Sequence, residues 1–136
     1  MPFVTKIFKF CAAHQYSNPH WDLNKNIEVF GKDHRIHGHN YDLEITVTGK
    51  INDDTGFLVD LGDLKKVVNE KVVDLLDHST IDQDIEWFKQ KQPSTENLVI
   101  WIWNQIVNDI NVKLYRVRLK ETPTIYTDYF GEDIEI

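Results

Sequence analysis

The sequence predicts an α+β fold, in which a four-stranded antiparallel sheet is covered on one face by two helices. Strand-like segments lie towards both ends of the chain, and two segments with the apolar spacing of amphipathic helices lie between them, giving the order ββααββ. The chain has 136 residues, of which 41% are hydrophobic, so it can bury one sizeable core but is short for two domains. We therefore expect a single domain over residues 1–136.

The first two strands are predicted on either side of a long polar segment. Residues 4–14 are rich in aromatic and aliphatic side chains, and residues 41–48 alternate apolar with polar side chains at a period of two. Residues 15–35 lie between them and are polar and irregular. Loops longer than roughly 12 to 15 residues are usually functional or disordered. Because this segment ends close to a histidine pair, we interpret it as part of a site.

The first helix is predicted to begin after Asp60, which is a suitable N-cap residue. Six apolar residues come next at the spacing of one helical stripe. They are Leu61, Leu64, Val68, Val72, Leu75 and Leu76. The last two strands are predicted over residues 114–120 and 125–129, which flank a Thr-Pro-Thr turn.

The second helix is predicted over residues 95–108, where Pro93 and Ser94 precede an apolar run. Its two tryptophans, Trp101 and Trp103, cannot share one helix face, so we expect one of them to contact another element or another subunit. The two hairpins then join in one sheet whose second face is partly apolar and whose edges are open. This arrangement favours association with further copies of the chain, and we expect a homo-oligomer.

Composition excludes several classes of function. The formal net charge of −7 disfavours nucleic-acid binding, although Lys32, His34 and Arg35 form a local basic group. That group could bind an anionic small molecule, or it could be a solvated loop. No apolar run approaches the roughly 20 residues of a membrane span, and the N-terminus does not resemble a secretory signal. With Cys11 as the sole cysteine, we expect a cytosolic protein.

Three histidines are candidate metal ligands. His37 and His39 are two residues apart, so on an extended chain their imidazoles point to one face, roughly 6 to 7 Å apart. His14 ends the preceding strand and lies next to them if the two strands pair. Three imidazoles with an open fourth position are typical of catalytic zinc. On its own, a His-Gly-His sequence is more often simply a polar strand end.

Six short motifs strengthen this interpretation. In chain order they are Phe10-Cys11-Ala12-Ala13-His14, His37-Gly38-His39-Asn40-Tyr41, Thr55-Gly56-Phe57-Leu58-Val59-Asp60, Leu76-Asp77-His78, Thr95-Glu96-Asn97 and Glu121-Thr122. With these motifs the chain resembles the 6-pyruvoyl-tetrahydropterin synthase and 6-carboxytetrahydropterin synthase family. The resemblance implies the tunnelling fold, in which sheets join into a trimeric barrel and two trimers stack into a homohexamer with sites at subunit interfaces.

The resemblance also implies roles for individual residues. It makes His14, His37 and His39 the ligands of a Zn²⁺ ion that binds side-chain hydroxyls of 7,8-dihydroneopterin triphosphate. Asp77 would orient His78, which would shuttle a proton, although a histidine is also favoured at a helix C-terminus by the helix dipole. Four further residues would contact the pterin. These are Glu121, as the pterin anchor, with Thr122, Thr95 and Glu96.

Helix capping competes with pterin binding as the role of Thr95, Glu96 and Asn97. An ordinary strand-end carboxylate is likewise the alternative for Glu121. The sequence alone leaves both of these alternatives open.

The chain departs from the family pattern at the proton-abstracting base. Family members that make the pyruvoyl or carboxy pterin carry a cysteine a few residues before the His-Gly-His, and here Asp33 and His34 occupy that region. Cys11 is expected to be buried on the strand face opposite His14, and therefore inert.

Three hypotheses about the reaction remain open. Asp33 or His34 replaces the thiol, with Asp33 favoured by position. Alternatively, a different base redirects the reaction towards side-chain cleavage, giving 6-hydroxymethyl-dihydropterin. In the third hypothesis, the protein binds a pterin without turnover.

Overall fold

The computed structural model describes residues 1–132, so residues 133–136, the last four of the predicted domain, lie outside the described part. The strands are β1 (Phe3–His14), β2 (His37–Thr48), β3 (Lys113–Thr122) and β4 (Ile125–Tyr129). They form one antiparallel sheet in the order β1-β2-β3-β4, which confirms the predicted sheet. β2 begins four residues earlier than predicted, so the histidine pair lies on the strand itself.

The first predicted helix runs from α2 (Leu61–Val68) through a π-helical segment (Asn69–Val73) into α3 (Asp74–Leu76). The Asp60 carboxylate accepts a hydrogen bond from the backbone of Asp63, which confirms the predicted cap. Four of the six residues of the predicted apolar stripe are buried in the core, namely Leu64, Val68, Val72 and Leu76. Leu61 and Leu75 are exposed because they lie outside the stripe that faces the sheet.

The second predicted helix is α5 (Thr95–Ile106), which ends two residues earlier than predicted. Its N-cap is Ser94, whose hydroxyl accepts from the backbone of Asn97. Both tryptophans meet other parts of the same chain. Trp101 packs on Phe88 with ring centroids 6.1 Å apart, and Trp103 meets Tyr129 at 5.4 Å.

The prediction that residues 15–35 are irregular is wrong over much of that segment. It contains α1 (Leu23–Phe30), capped by Asp22 and ended by Gly31 at a positive φ of 58°, and then a 3₁₀ turn (Gly31–His34). The Asn26 side chain is buried and forms four hydrogen bonds to the surrounding backbone. Two short helical pieces come after α3, namely α4 (Ile81–Asp84) and a 3₁₀ turn (Glu86–Lys89).

The helices cover one face of the sheet and bury a single apolar core, to which β1, β2 and β3 all contribute. The opposite face is more polar than the sequence suggested. Ion pairs cross it, with Lys9 2.9 Å from Asp42 and Arg118 2.7 Å from Asp128, although Ile7 is also exposed there. Among residues 1–132, no helix combines the length and apolar character needed to cross a bilayer.

Candidate metal centre and active site

Strand pairing brings the three histidines together on the face of the sheet that the helices cover. His14 pairs with His37, and Ala12 pairs with His39, so the three imidazoles come from adjacent strand ends. One ring nitrogen from each lies within 4.8 Å of the other two. Between the two β2 histidines, a Cβ on Gly38 would lie 3.3 Å from the Ala12 carbonyl oxygen. Glycine therefore lets β1 and β2 approach closely beside the triad.

Two of the imidazoles are oriented by backbone carbonyls. Nδ1 of His14 donates to the Pro93 oxygen at 2.9 Å, and Nδ1 of His37 donates to the Arg35 oxygen at 2.7 Å. A carbonyl oxygen can only accept a hydrogen bond, so Nδ1 carries the proton in each neutral ring. Nε2 therefore carries the lone pair. These two Nε2 atoms lie 3.0 Å apart. Burial lowers the pKa of His14 to about 4, so this ring is neutral at pH 7.

Glu121 adds a carboxylate to this cluster. Its Oε1 lies 3.0 Å from Nε2 of His39 and 3.5 Å from Nε2 of His14. Nε2 of His39 is nevertheless buried without a hydrogen-bond partner among the described residues. Imidazole nitrogens and a carboxylate oxygen suit zinc. A cluster of facing lone pairs and an unsatisfied nitrogen therefore fits a cation.

The position of Glu121 depends on a local irregularity in the sheet. The register of β3 against β4 shifts between Lys120 and Thr122, and Glu121 is the residue between them. Such bulges redirect a side chain, often beside a functional site. The family resemblance implies that Glu121 binds a pterin, but nothing in the sequence indicates that its carboxylate contacts two of the histidines.

Tyr16 is a further residue of this cluster, and no sequence motif indicated it. Its ring lies 4.9 Å from that of His14 and 5.8 Å from that of Phe30, between centroids. Burial, followed by the charges of Glu121, Glu96 and Asp33, raises the pKa of Tyr16, so the phenol stays protonated. Tyr16 lies two residues after His14, and alternation along an extended chain could have placed it on the same side.

The two candidate bases occupy different positions. Oδ1 of Asp33 lies 3.8 Å from Nε2 of His37, and the Asp33 side chain is 65% exposed. Nδ1 of His34 instead lies 3.0 Å from the Tyr16 carbonyl oxygen, to which it donates. The carbonyl of His34 accepts from the Gln15 side chain. The structure therefore brings Asp33 to the histidine triad and turns the His34 ring towards the backbone.

Asp77 and His78 lie along the edge of β1 that faces away from β2. The Cys11 backbone N–H donates to Asp77 at 2.9 Å, and Nδ1 of His78 donates to the other Asp77 oxygen at 2.9 Å. These two contacts lower the pKa of Asp77, the backbone contact being the larger cause. His78 has a positive φ of 62°, and its side chain is 83% exposed. Cys11, which contacts Asp77, precedes His14 by three residues. Roughly 10 Å of extended chain therefore lies between this contact and the nearest histidine of the triad.

Cys11 lies on the strand face opposite His14, as predicted, but it is exposed rather than buried. The face of the sheet opposite the helices has no layer covering it in the described chain. The expectation that Cys11 is a buried packing residue is therefore wrong.

The remaining candidate residues have partners within the chain. The Thr95 hydroxyl is buried and contacts Thr127 at 2.8 Å and a Glu96 carboxylate oxygen at 3.0 Å. The cap of α5 is Ser94, so Thr95 and Glu96 do not serve as the N-cap residue. The Thr122 hydroxyl accepts from the backbone N–H of Thr124 and so supports the turn between β3 and β4.

Comparison with known proteins agrees with the fold and the motifs. The sequence profile of the family described as 6-pyruvoyl tetrahydropterin synthase matches residues 3–132. A 6-pyruvoyl tetrahydrobiopterin synthase of Drosophila melanogaster is 37% identical over 133 residues, covering 95% of this chain and 79% of that protein. The solved Caenorhabditis elegans 6-pyruvoyl tetrahydropterin synthase is 33% identical, with a TM-score of 0.88 over 97% of this chain and 98% of that chain.

A more distant solved chain shares the fold. It is a Plasmodium vivax 6-pyruvoyltetrahydropterin synthase, 20% identical, with a TM-score of 0.62 over 95% of this chain and 98% of that chain. It is described as a catalytic-residue mutant in which glutamate is replaced by cysteine. The match over residues 3–132 and the identity to the Drosophila protein show that this chain belongs to the 6-pyruvoyl tetrahydropterin synthase family.

Proposed function

We propose that the protein is a zinc-dependent lyase that acts on 7,8-dihydroneopterin triphosphate. The observation that carries this proposal is the group of three imidazole nitrogens within 4.8 Å of one another, in a chain of the pterin synthase family. His14, His37 and His39 would hold the ion, two of them with Nε2 lone pairs oriented towards it. Zinc bound there would lower the pKa of a coordinated substrate hydroxyl and so promote loss of a neighbouring C–H proton.

Asp33 is the proposed base in place of the missing cysteine. Its carboxylate lies beside His37, whereas the His34 ring is held against the backbone of Tyr16. Asp33 takes the proton from a side-chain carbon of the substrate, and triphosphate leaves with the electron pair of its C–O bond. Hydrogens then redistribute within the substrate, so no external oxidant or reductant is needed. The catalytic glutamate described for the Plasmodium vivax protein supports a carboxylate in such a role.

Asp77 and His78 are proposed to relay protons, with the Asp77 carboxylate orienting the imidazole through its contact with Nδ1. Their exposed position at the edge of β1 supports a site that is completed between subunits. We therefore propose a homohexamer, built as two stacked trimers, in which His78 of one subunit approaches the metal centre of another. We propose that this assembly works in the cytosol.

Four residues are proposed to hold the pterin. Glu96 and Glu121 carry the carboxylates, which can accept paired hydrogen bonds from the amino group and ring N–H of a pterin. The other two are Thr95, which precedes Glu96 in the chain, and Thr122, which follows Glu121. Besides burial, the charges of both glutamates raise the pKa of Tyr16, whose ring lies against His14, and this supports a shared pocket.

The product is tested by incubating the purified protein with 7,8-dihydroneopterin triphosphate and analysing every product. We expect released triphosphate with 6-pyruvoyl-tetrahydropterin or, if acetaldehyde also appears, 6-carboxytetrahydropterin. Formation of 6-hydroxymethyl-dihydropterin would show that the side chain is cleaved instead. Tight pterin binding without any product would refute the proposed enzyme and indicate a binding module.

A further inference from the structure

We propose that Glu121 is the fourth ligand of the metal ion in the absence of substrate. This inference rests on the proposed metal centre and adds a carboxylate to its three imidazoles. It differs from a role in pterin binding alone, because it gives Glu121 a direct part in holding the ion.

The distances around Glu121 support ligation. Donor atoms about 2.0 to 2.1 Å from a tetrahedral zinc ion lie roughly 3.3 Å from one another. Oε1 of Glu121 lies 3.0 Å from Nε2 of His39 and 3.5 Å from Nε2 of His14. The separation between Nε2 of His14 and Nε2 of His37 is 3.0 Å. Three of the six edges of a ligand tetrahedron are therefore close to their expected lengths.

The chemistry of the neighbouring groups also supports ligation by Glu121. Within residues 1–132, the ion-pair contacts of Glu121 are with imidazoles alone, and its side chain is only 15% exposed. A carboxylate with so little access to water needs a positive partner or several hydrogen-bond donors. The His14 ring donates through Nδ1 to Pro93, so its Nε2 offers no proton to Glu121 when the ring is neutral. A cation between these atoms satisfies both the carboxylate and the unpartnered Nε2 of His39.

Ligation by Glu121 has a consequence for substrate binding. Catalytic zinc sites usually keep one position for water or substrate, and a fourth protein ligand fills it. A side-chain hydroxyl of the substrate would then displace the carboxylate on binding. The released Glu121 then becomes free to accept hydrogen bonds from the bound pterin.

The test is a measurement of zinc affinity by chelator competition, with metal-free wild-type protein, Glu121→Gln and the control Glu96→Gln. Glutamine has nearly the same shape but lacks the charge. Because the carboxylate contacts of the triad within residues 1–132 are with Asp33 and Glu121, we expect Glu96→Gln to bind zinc as tightly as the wild type. We expect Glu121→Gln to bind zinc at least about tenfold more weakly, in line with the losses caused by removing groups around metal sites. Equal affinity in all three proteins would overturn the inference.

Cobalt substitution provides a second measurement that needs no turnover. The visible spectrum of Co²⁺ reports its coordination, so Glu121→Gln should alter the spectrum of the metal-loaded protein, and adding neopterin should alter that of the wild type. Identical spectra for the wild type and Glu121→Gln would also contradict ligation. If the wild type binds neither metal, the proposed zinc site itself fails, and this outcome is distinct from the failure of Glu121 alone.

Discussion

The histidine triad and the pair formed by Asp77 and His78 both combine imidazole with carboxylate, but they differ in how completely one chain surrounds them. His14 is fully buried, and its ring is oriented by Pro93, while Glu121 faces the cluster. The His78 side chain is 83% exposed, and its imidazole donates to the neighbouring Asp77 carboxylate. The difference supports the proposal that one subunit assembles the metal centre, whereas the proposed proton-relay pair works only when another subunit approaches it.

The strongest test of the triad is His37→Ala. Removing one of three imidazoles should weaken zinc binding severely and reduce turnover below detection, because the two remaining imidazoles and Glu121 cannot hold the ion in the same geometry. Zinc content is measured on the purified protein, and turnover by release of triphosphate. The matched control is His20→Ala, an exposed histidine outside the cluster, which should keep both zinc and activity. Full zinc occupancy in His37→Ala would refute the triad as the metal centre.

The Asp77 and His78 pair should respond differently. His78→Ala should lower turnover about 10²- to 10⁴-fold, the usual contribution of a positioned acid or base, while zinc content stays unchanged. Mixing His78→Ala subunits with His37→Ala subunits, followed by dissociation and reassembly, should restore partial activity. Activity can be restored in the mixture only if residues from two subunits form one active site. A mixture as inactive as its components would show that each chain must supply both parts.

Asp33→Ala and His34→Ala compare two neighbours that the sequence alone could barely distinguish. We expect Asp33→Ala to lower turnover by about 10²-fold or more, because its carboxylate lies 3.8 Å from the His37 imidazole. His34→Ala should have a smaller effect, arising from the lost contact to the Tyr16 carbonyl oxygen. Zinc content should be normal in both variants. The reverse order of effects would make His34 the base.

The burial of His14 should make the stability of the metal-free protein depend on pH. Its pKa is about 4 in the folded chain and about 6.5 when exposed, so between these values the unfolded state binds more protons. The free energy of unfolding should therefore fall as the pH drops from about 6.5 to about 4, by at most roughly 3 kcal/mol. Urea denaturation at several pH values measures it. His14→Gln should flatten this pH dependence. An unchanged pH profile in that variant would show that other groups cause it.

The triad could be predicted because it depends on short-range rules. Alternation places His37 and His39 on one face, and an adjacent strand brings in His14. Helix α1 was also encoded locally, in the cap Asp22, the apolar residues Leu23 and Ile27 at helical spacing, and the terminating Gly31. The many polar residues around these signals made the segment resemble a loop, so the helix was missed.

The contact of Glu121 with the triad could not be predicted from the sequence. Glu121 lies 82 residues beyond His39, and it reaches the cluster because β3 pairs with β2 and because the register shifts at this residue. Neither the strand order nor a bulge can be deduced from the period of apolar residues. The exposure of His78 is equally non-local, since it depends on how residues 77–80 meet the edge of β1.

The π-helical segment between α2 and α3 has a consequence for insertions and deletions. Each residue of a helix turns the chain by about 100°, and a π segment usually contains one residue more than a regular helix of the same span. Removing one residue between 69 and 73 could join α2 and α3 into one uninterrupted α-helix. The deletion would also rotate or shift the residues beyond the helix, including Asp77 and His78, relative to Cys11 on β1. The number of residues in this helix, as well as their identity, therefore determines where the proposed proton-relay pair faces.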